Sequence, residues 1–266
     1  MNPLDSFQIV LVEPQNPINV GTVVRATKNM GLRQLTLVHP APMDLEKTQI
    51  SAHHTEDMIA SIRICETLDE ALEGVHESFG FSARRRTQTW ASLDMENAVS
   101  RSLVLARESR RIAFVFGREQ TGLTNTELER CSCQVHIDTA DYSSLNLAQA
   151  VLLACYTLRR QNAETPRHDA PKLDNFARDS RPATLDERMR LLRTLEDTLV
   201  SIGYYKSQDP NTAIHRVQNL LNRADLHDDE YHLLMGMIRE VGTYTKMLQR
   251  GCPPKCIRPR KALHED

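Results

Sequence analysis

Phe116-Gly117-Arg118-Glu119-Gln120-Thr121-Gly122-Leu123-Thr124 follows directly on an apolar run, Ile112 to Phe116, and the reading of this junction decides the fold. A short apolar run stopped by glycine suits a buried strand. Two glycines bracketing an Arg-Glu pair straight after a strand suggest a backbone cradle for a ligand. Taken alone, the spacing fits a tight turn with an exposed ion pair equally well. The loop is not a phosphate-binding P-loop, because no Gly-Lys-Ser/Thr follows, and the GxGxxG dinucleotide fingerprint is absent.

Two further loops share this setting. Glu13-Pro14-Gln15-Asn16-Pro17-Ile18-Asn19-Val20-Gly21-Thr22-Val23-Val24-Arg25 follows the apolar run Phe7 to Val12. Asn19 is read as the cap of a helix running to about Met30, with Gly31 as its left-handed stop. Gly21 allows close backbone approach, and Arg25 is placed within the second turn. On spacing alone, a cap, a packing glycine and a surface arginine account for this stretch. The third loop is Tyr142-Ser143-Ser144-Leu145-Asn146-Leu147-Ala148-Gln149-Ala150. Its paired serines are read as caps of a helix over 145–160. Asn146 then stands inside that helix, where asparagine needs a partner.

Around these loops the first 160 residues alternate strands and helices. Strands are expected at Phe7–Val12, Leu35–Val38, near Arg63, at Ser78–Phe81, at Ile112–Phe116 and at Val135–Ile137. Helices fit 68–73, 95–107 and 145–160. This rhythm predicts an α/β fold, a parallel sheet with helices on both faces, with ligands bound beyond the carboxyl ends of the strands. The stretch 161–183 is rich in proline and charge and reads as an exposed linker. Thr184 with Glu187 then forms a capping box, and Met189, Leu192, Leu195 and Leu199 make a helical stripe. Two more helices fit 212–223 and 228–249. The expected organisation is a domain over 1–160, a linker over 161–183, a small helical domain over 184–251 and a basic tail over 252–266.

Composition narrows the function classes. With 40% apolar and 26% charged residues, the chain reads as a soluble globular protein. No apolar run nears the roughly 20 residues that span a bilayer, and the N-terminus lacks the basic region of a signal peptide. A cytoplasmic location follows as the expectation. The CxC spacing of Cys131 and Cys133 and the CxxxC spacing of Cys252 and Cys256 match no zinc knuckle, so no metal is expected. The net charge of −2 carries no global nucleic-acid signal. Arg84-Arg85-Arg86 and the acid-free run Lys246 to Lys261 concentrate basic charge locally; such runs are ordinarily solvated faces unless another feature points to RNA.

The three loops together resemble the signature motifs of the SPOUT (SpoU–TrmD) RNA methyltransferases: an Asn-x-Gly-x-x-x-Arg segment, a Phe-Gly-x-Glu-x-x-Gly-Leu segment and a Ser-Leu-Asn-Leu helix start. Order, spacing and context match over about residues 7–160. Phe81-Ser82-Ala83-Arg84 resembles the cofactor-floor loop of the branch modifying tRNA, and a linker leading to a helical C-terminal domain is similar to that branch.

The resemblance implies a deep trefoil knot, an exception to the general absence of knots, and an obligate homodimer using S-adenosyl-L-methionine (SAM). It implies that Phe81, Ser82, Ala83, Gly117, Ile137, Ser143, Ser144 and Leu145 line the cofactor pocket. Glu119 and Asn146 would shape the catalytic surroundings, and Asn19 and Arg25 would face the target ribose, Arg25 meeting the partner's cofactor. Ser144 would bind SAM or position the hydroxyl. Arg84, Arg86 and Arg118 are the candidates for RNA phosphate contacts. The implied reaction is 2′-O-methylation of tRNA, with the pyrimidine at position 32 of the anticodon loop as first choice. The alternatives are another tRNA site or ribosomal RNA and, from a different class, a non-catalytic RNA-binding assembly factor on the same scaffold. The chain begins almost directly with its first strand, whereas many ribosomal relatives carry an extra N-terminal domain.

Overall fold

The computed structural model describes residues 2–42, 48, 51–52, 54–83, 92–141, 144–164, 180–205 and 210–250. Seven strands, β1 (Phe7–Val12), β2 (Gln34–Val38), β3 (Arg63–Cys65), β4 (Glu77–Phe81), β5 (Ser92–Asp94), β6 (Ile112–Phe116) and β7 (Cys133–His136), form one sheet in the order β3-β2-β1-β6-β4-β7-β5. Every pairing is parallel. β4 and β6 are buried along their whole length, as strands covered on both faces must be.

Strand alternation divides the core in two. Ile9, Leu11, Phe114 and Phe116 point to one face, where they meet α1 (Pro17–Asn29), α4 (Met95–Arg107) and α6 (Leu147–Glu164). Val10, Val12, Ala113 and Val115 point to the other, against α3 (Leu68–Ala71) and α5 (Asn125–Glu129). The short α2 (Glu56–Ala60) follows β2 in the chain.

Several boundaries differ from the sequence reading, each for a physical reason. Asn16, not Asn19, caps α1: its side chain accepts from the Ile18 amide at 2.9 Å, and Pro17 opens the helix. Proline suits that first position because its missing N–H has no helical acceptor to lose. Arg25 therefore lies in the third turn. Asn146 is not inside α6; its Oδ1 accepts from the Ala148 amide at 2.9 Å and caps the helix. α6 also runs on through Gln161 to Glu164, so the expected linker begins later. Gly31 has φ +84° and stops α1 as expected.

The C-terminal helices are α7 (Leu185–Ser201), α8 (Pro210–Arg223) and α9 (Asp228–Gln249). Thr184 and Glu187 form the expected capping box. A separate small core gathers Leu191, Leu192, Ile214, Leu221, Tyr231 and Met235. This helical unit rests against the amino ends of the central strands. The Leu185 amide donates to Val75 O at 2.8 Å, and Asn222 Nδ2 donates to Ser132 O at 3.2 Å. Arg188 and Arg101 both hold Glu77, at 3.1 and 2.8 Å.

Candidate active site

The carboxyl ends of β4, β6 and β7 open onto a cavity of about 280 Å³. Phe81 and Phe116 stand at two strand ends with their rings stacked 4.4 Å apart, and they form an apolar floor. Ser82, Ala83, Ile137, Ser144 and Leu145 line the same space. The Ser82 amide donates to Val135 O at 3.0 Å, and His136 Nδ1 lies 2.8 Å from Ser82 O, so this loop is tied to β7 on both sides. Gly117 lies at the root of the opposite wall. A Cβ there would come within 2.1 Å of the Gly122 carbonyl carbon and 2.3 Å of the Leu123 nitrogen. Only glycine permits that close return of the loop. Gly122, with φ +68°, makes the turn.

Glu119 joins this wall to the β1–α1 loop. Its carboxylate accepts from the amides of Gln15 and Asn16, each at 3.0 Å, and from Asn19 Nδ2 at 3.1 Å. Asn19 Oδ1 in turn accepts from Asn146 Nδ2 at 3.1 Å. One chain of hydrogen bonds thus links the second motif, the first and the start of α6. Burial alone would raise the Glu119 pKa, but the bonds from Asn19, Gln15 and Asn16 hold it below its ordinary value. The group stays an anion, and an acceptor only.

The other expected residues fall in three groups. Arg25 is exposed on the outer side of α1 beside Thr22 and Asn29, and no hydrogen-bond or ion-pair partner holds it among the described residues. Arg118 sits in the cavity wall, where its guanidinium is engaged by Glu13 and Glu127. Ser143, Arg84 and Arg86 lie outside the described residues, as do Cys252, Cys256 and the basic tail. Phe116, Gln120, Thr121, Gly122 and Ala150 also line the cavity. Sequence reading placed them within the two motif loops, with Gly122 as one of the cradle glycines, but did not name them among the cofactor-lining residues.

Among the described residues no cluster of three His, Cys, Asp or Glu side chains is poised to hold a metal. Burial pushes the Cys131 and Cys133 thiols up to about 12, the opposite of what a thiolate ligand needs. No helix among the described residues is long and apolar enough to cross a membrane.

The family described as the SpoU rRNA methylase family matches residues 6–156, which take in the whole sheet and all three loops. The chain belongs to the SpoU methylase family. Its C-terminal helices are matched separately, over residues 186–250, by the tRNA methyltransferase TrmJ C-terminal domain family. The tRNA (cytidine/uridine/adenosine-2′-O-)-methyltransferase TrmJ of Pseudomonas aeruginosa is 35% identical over 254 residues, covering 93% of this chain and 96% of that protein. A probable methylase family protein of Haemophilus influenzae, of known structure, is 32% identical, covers 92% and 99% of the two chains and superposes with a TM-score of 0.56. TrmJ from Z. mobilis, at 24% identity, shares the fold over 88% and 98% of the chains with a TM-score of 0.70. Within this SpoU methylase the family match contains Asn19, Arg25, Glu119, Ser144 and Asn146, three of which are joined by the hydrogen bonds above.

Proposed function

We propose that this chain transfers a methyl group from SAM to a ribose 2′-oxygen of tRNA, with the pyrimidine at position 32 of the anticodon loop as its target. The observation that carries the proposal is the Glu119–Asn19–Asn146 chain of hydrogen bonds standing against a cavity that suits an adenosyl group. The cavity, at about 280 Å³, lies just below the roughly 300–1,000 Å³ usual for ligand sites. It offers an apolar floor and close backbone approach at Gly117. SAM supplies an electrophilic sulfonium methyl when bound. Phe81, Ser82, Ala83, Gly117, Ile137, Ser143, Ser144 and Leu145 would hold it, and Ser144, which lines the cavity, would also orient the hydroxyl.

The chain's own contribution is alignment, worth several orders of magnitude when two reactants are held in line. Asn19 is immobilised by Glu119 on one side and Asn146 on the other, which fixes the side of the loop that meets the ribose. Arg25 orients the 2′-hydroxyl or stabilises charge developing on its oxygen; a guanidinium is a reluctant proton acceptor. Arg25 lies on an outward face with Ile18, and the adjoining α6 exposes Leu152, Leu153 and Tyr156. That apolar face supports a homodimer in which Arg25 reaches the partner's cavity. The knot of the family, a cytoplasmic site of action and phosphate contacts by Arg84 and Arg86 belong to the same proposal. So does the domain division at 1–160, 161–183, 184–251 and 252–266, with α6 extending to Glu164.

Incubating the protein with labelled SAM and either unmodified bulk tRNA or ribosomal RNA tests the substrate class. Label in tRNA as a 2′-O-methylated nucleoside supports the proposal. Label in ribosomal RNA alone moves the substrate, and SAM binding with no transfer to either favours an assembly factor.

A further inference from the structure

We propose that Arg118 is a positioning residue that locks the β1–α1 loop onto the cofactor loop, rather than a contact for RNA. The inference deepens the methyltransferase reading and rests on it. Arg118 Nε donates to Glu13 Oε2 at 2.8 Å, and its two terminal nitrogens donate to the two Glu127 oxygens at 3.0 Å each. The side chain is only 15% exposed. A guanidinium has five N–H donors in a rigid plane. Here the fork is filled by one carboxylate and the Nε edge by a second, so neither two-donor edge is left to receive a phosphate bidentately.

The position of these partners gives the lock its purpose. Glu13 follows β1 directly and has φ +46°, a conformation that a non-glycine residue holds only when its surroundings impose it. Glu127 lies on α5 and is itself anchored in a capping box with Thr124. The Arg118 carbonyl accepts from the Gly122 amide at 2.9 Å, closing the turn of the cavity wall. Arg118 therefore shapes the cavity through its backbone and grips the neighbouring loop through its side chain. Glu119, the next residue, grips the same loop further on, at Gln15, Asn16 and Asn19. Two consecutive residues pin both ends of the segment that presents the ribose-facing group. Lysine cannot reproduce this, because a point charge lacks the planar fork.

The test compares full-length wild type with Arg118→Lys, Arg118→Met and Glu13→Gln. Four quantities are read: SAM affinity by calorimetry, kcat and KM on tRNA, the salt dependence of tRNA binding, and hydrogen exchange at the Gln15 and Asn16 amides. A lock predicts that kcat or SAM affinity falls about tenfold or more in both Arg118 variants. It also predicts a loss of the same kind in Glu13→Gln, faster exchange at Gln15 and Asn16, and an unchanged salt slope. A phosphate contact predicts the reverse: weaker tRNA binding with a salt slope smaller by about one, and intact SAM affinity. That result overturns the lock, and so does a Glu13→Gln variant that behaves as wild type. If Arg118→Met does not fold, Arg118→Lys and Glu13→Gln still decide. Should wild type bind SAM but methylate no tRNA, the substrate reading fails. The lock is then judged separately, by SAM affinity and exchange.

Discussion

Glu119 receives hydrogen bonds from Gln15 and Asn16 in the β1–α1 loop and from Asn19 in the first turn of α1. Glu119→Gln keeps the shape but turns an NH₂ toward donors and removes the charge. Bonds to an ionised acceptor contribute about 1.5–3 kcal/mol, so kcat/KM in a steady-state assay is expected to fall by about ten- to a hundredfold. Arg25 has the opposite character: it is exposed and has no hydrogen-bond or ion-pair partner among the described residues, so the fold is expected to tolerate its loss. Arg25→Ala should abolish methyl transfer while thermal unfolding moves by no more than about 0.5 kcal/mol. A large loss of stability in that variant would mean that the residue serves the fold instead.

At the scale of elements, Gly117→Ala is expected to force the return of the loop apart, since its Cβ would meet Gly122 and Leu123 backbone. SAM affinity by calorimetry should drop sharply. The same residues explain what could be read in advance. β1, β6 and the parallel rhythm were legible because buried strands are continuous apolar runs. α4 was placed at its observed bounds, and in the structure Asp94 caps it, accepting from the Asn97 amide. Edge strand β5, Ser92–Asp94, was missed, because three largely solvent-facing residues carry no such signal. The capping error at α1 has a local cause: Asn16 and Asn19 are both good caps, and only Pro17 between them discriminates. Glu119 and Asn146 stood out within the second and third motif loops. Their connection through Asn19 did not, because residues about 100 and 127 positions apart meet only in the fold. His76 shows a similar long-range effect. Its Nδ1 accepts from the Arg111 amide at 3.0 Å. Burial, aided by Arg111, Arg110, Arg188 and Arg181, holds its pKa down to about 4. The neutral ring favours the folded state, so its contribution is complete above the unfolded value of 6.5 and is lost as pH falls toward 4. Denaturant unfolding should show this loss across that window, and His76→Asn, which retains an acceptor, should flatten it.

For the whole molecule, the helical unit sits at the amino ends of the strands and the cavity at the carboxyl ends, so the contact between the two units and the cavity lie at opposite ends of the strands. Arg188 and Glu77 are almost fully buried, with side chains 7% and 5% exposed. Arg188→Met is expected to destabilise the protein by about 3 kcal/mol, as removal of one partner of a buried pair does, with Arg101 still compensating Glu77. Denaturant titration measures the change, and SAM affinity should survive it. The Arg181 guanidinium holds Glu187 at about 2. The stability this gives the capping box is present above about 4.5 and is lost as pH falls toward 2. The proposed homodimer makes its own prediction: if Arg25 of one chain serves the cavity of the other, mixing Arg25→Ala with Gly117→Ala chains should restore activity neither has alone. The most direct measurement of the central claim is nucleoside mapping of unmodified tRNA after incubation with labelled SAM, beside Arg25→Ala. The account predicts a 2′-O-methylated pyrimidine at position 32, absent in the variant. Label on a base, or an undiminished ribose product from Arg25→Ala, would contradict it.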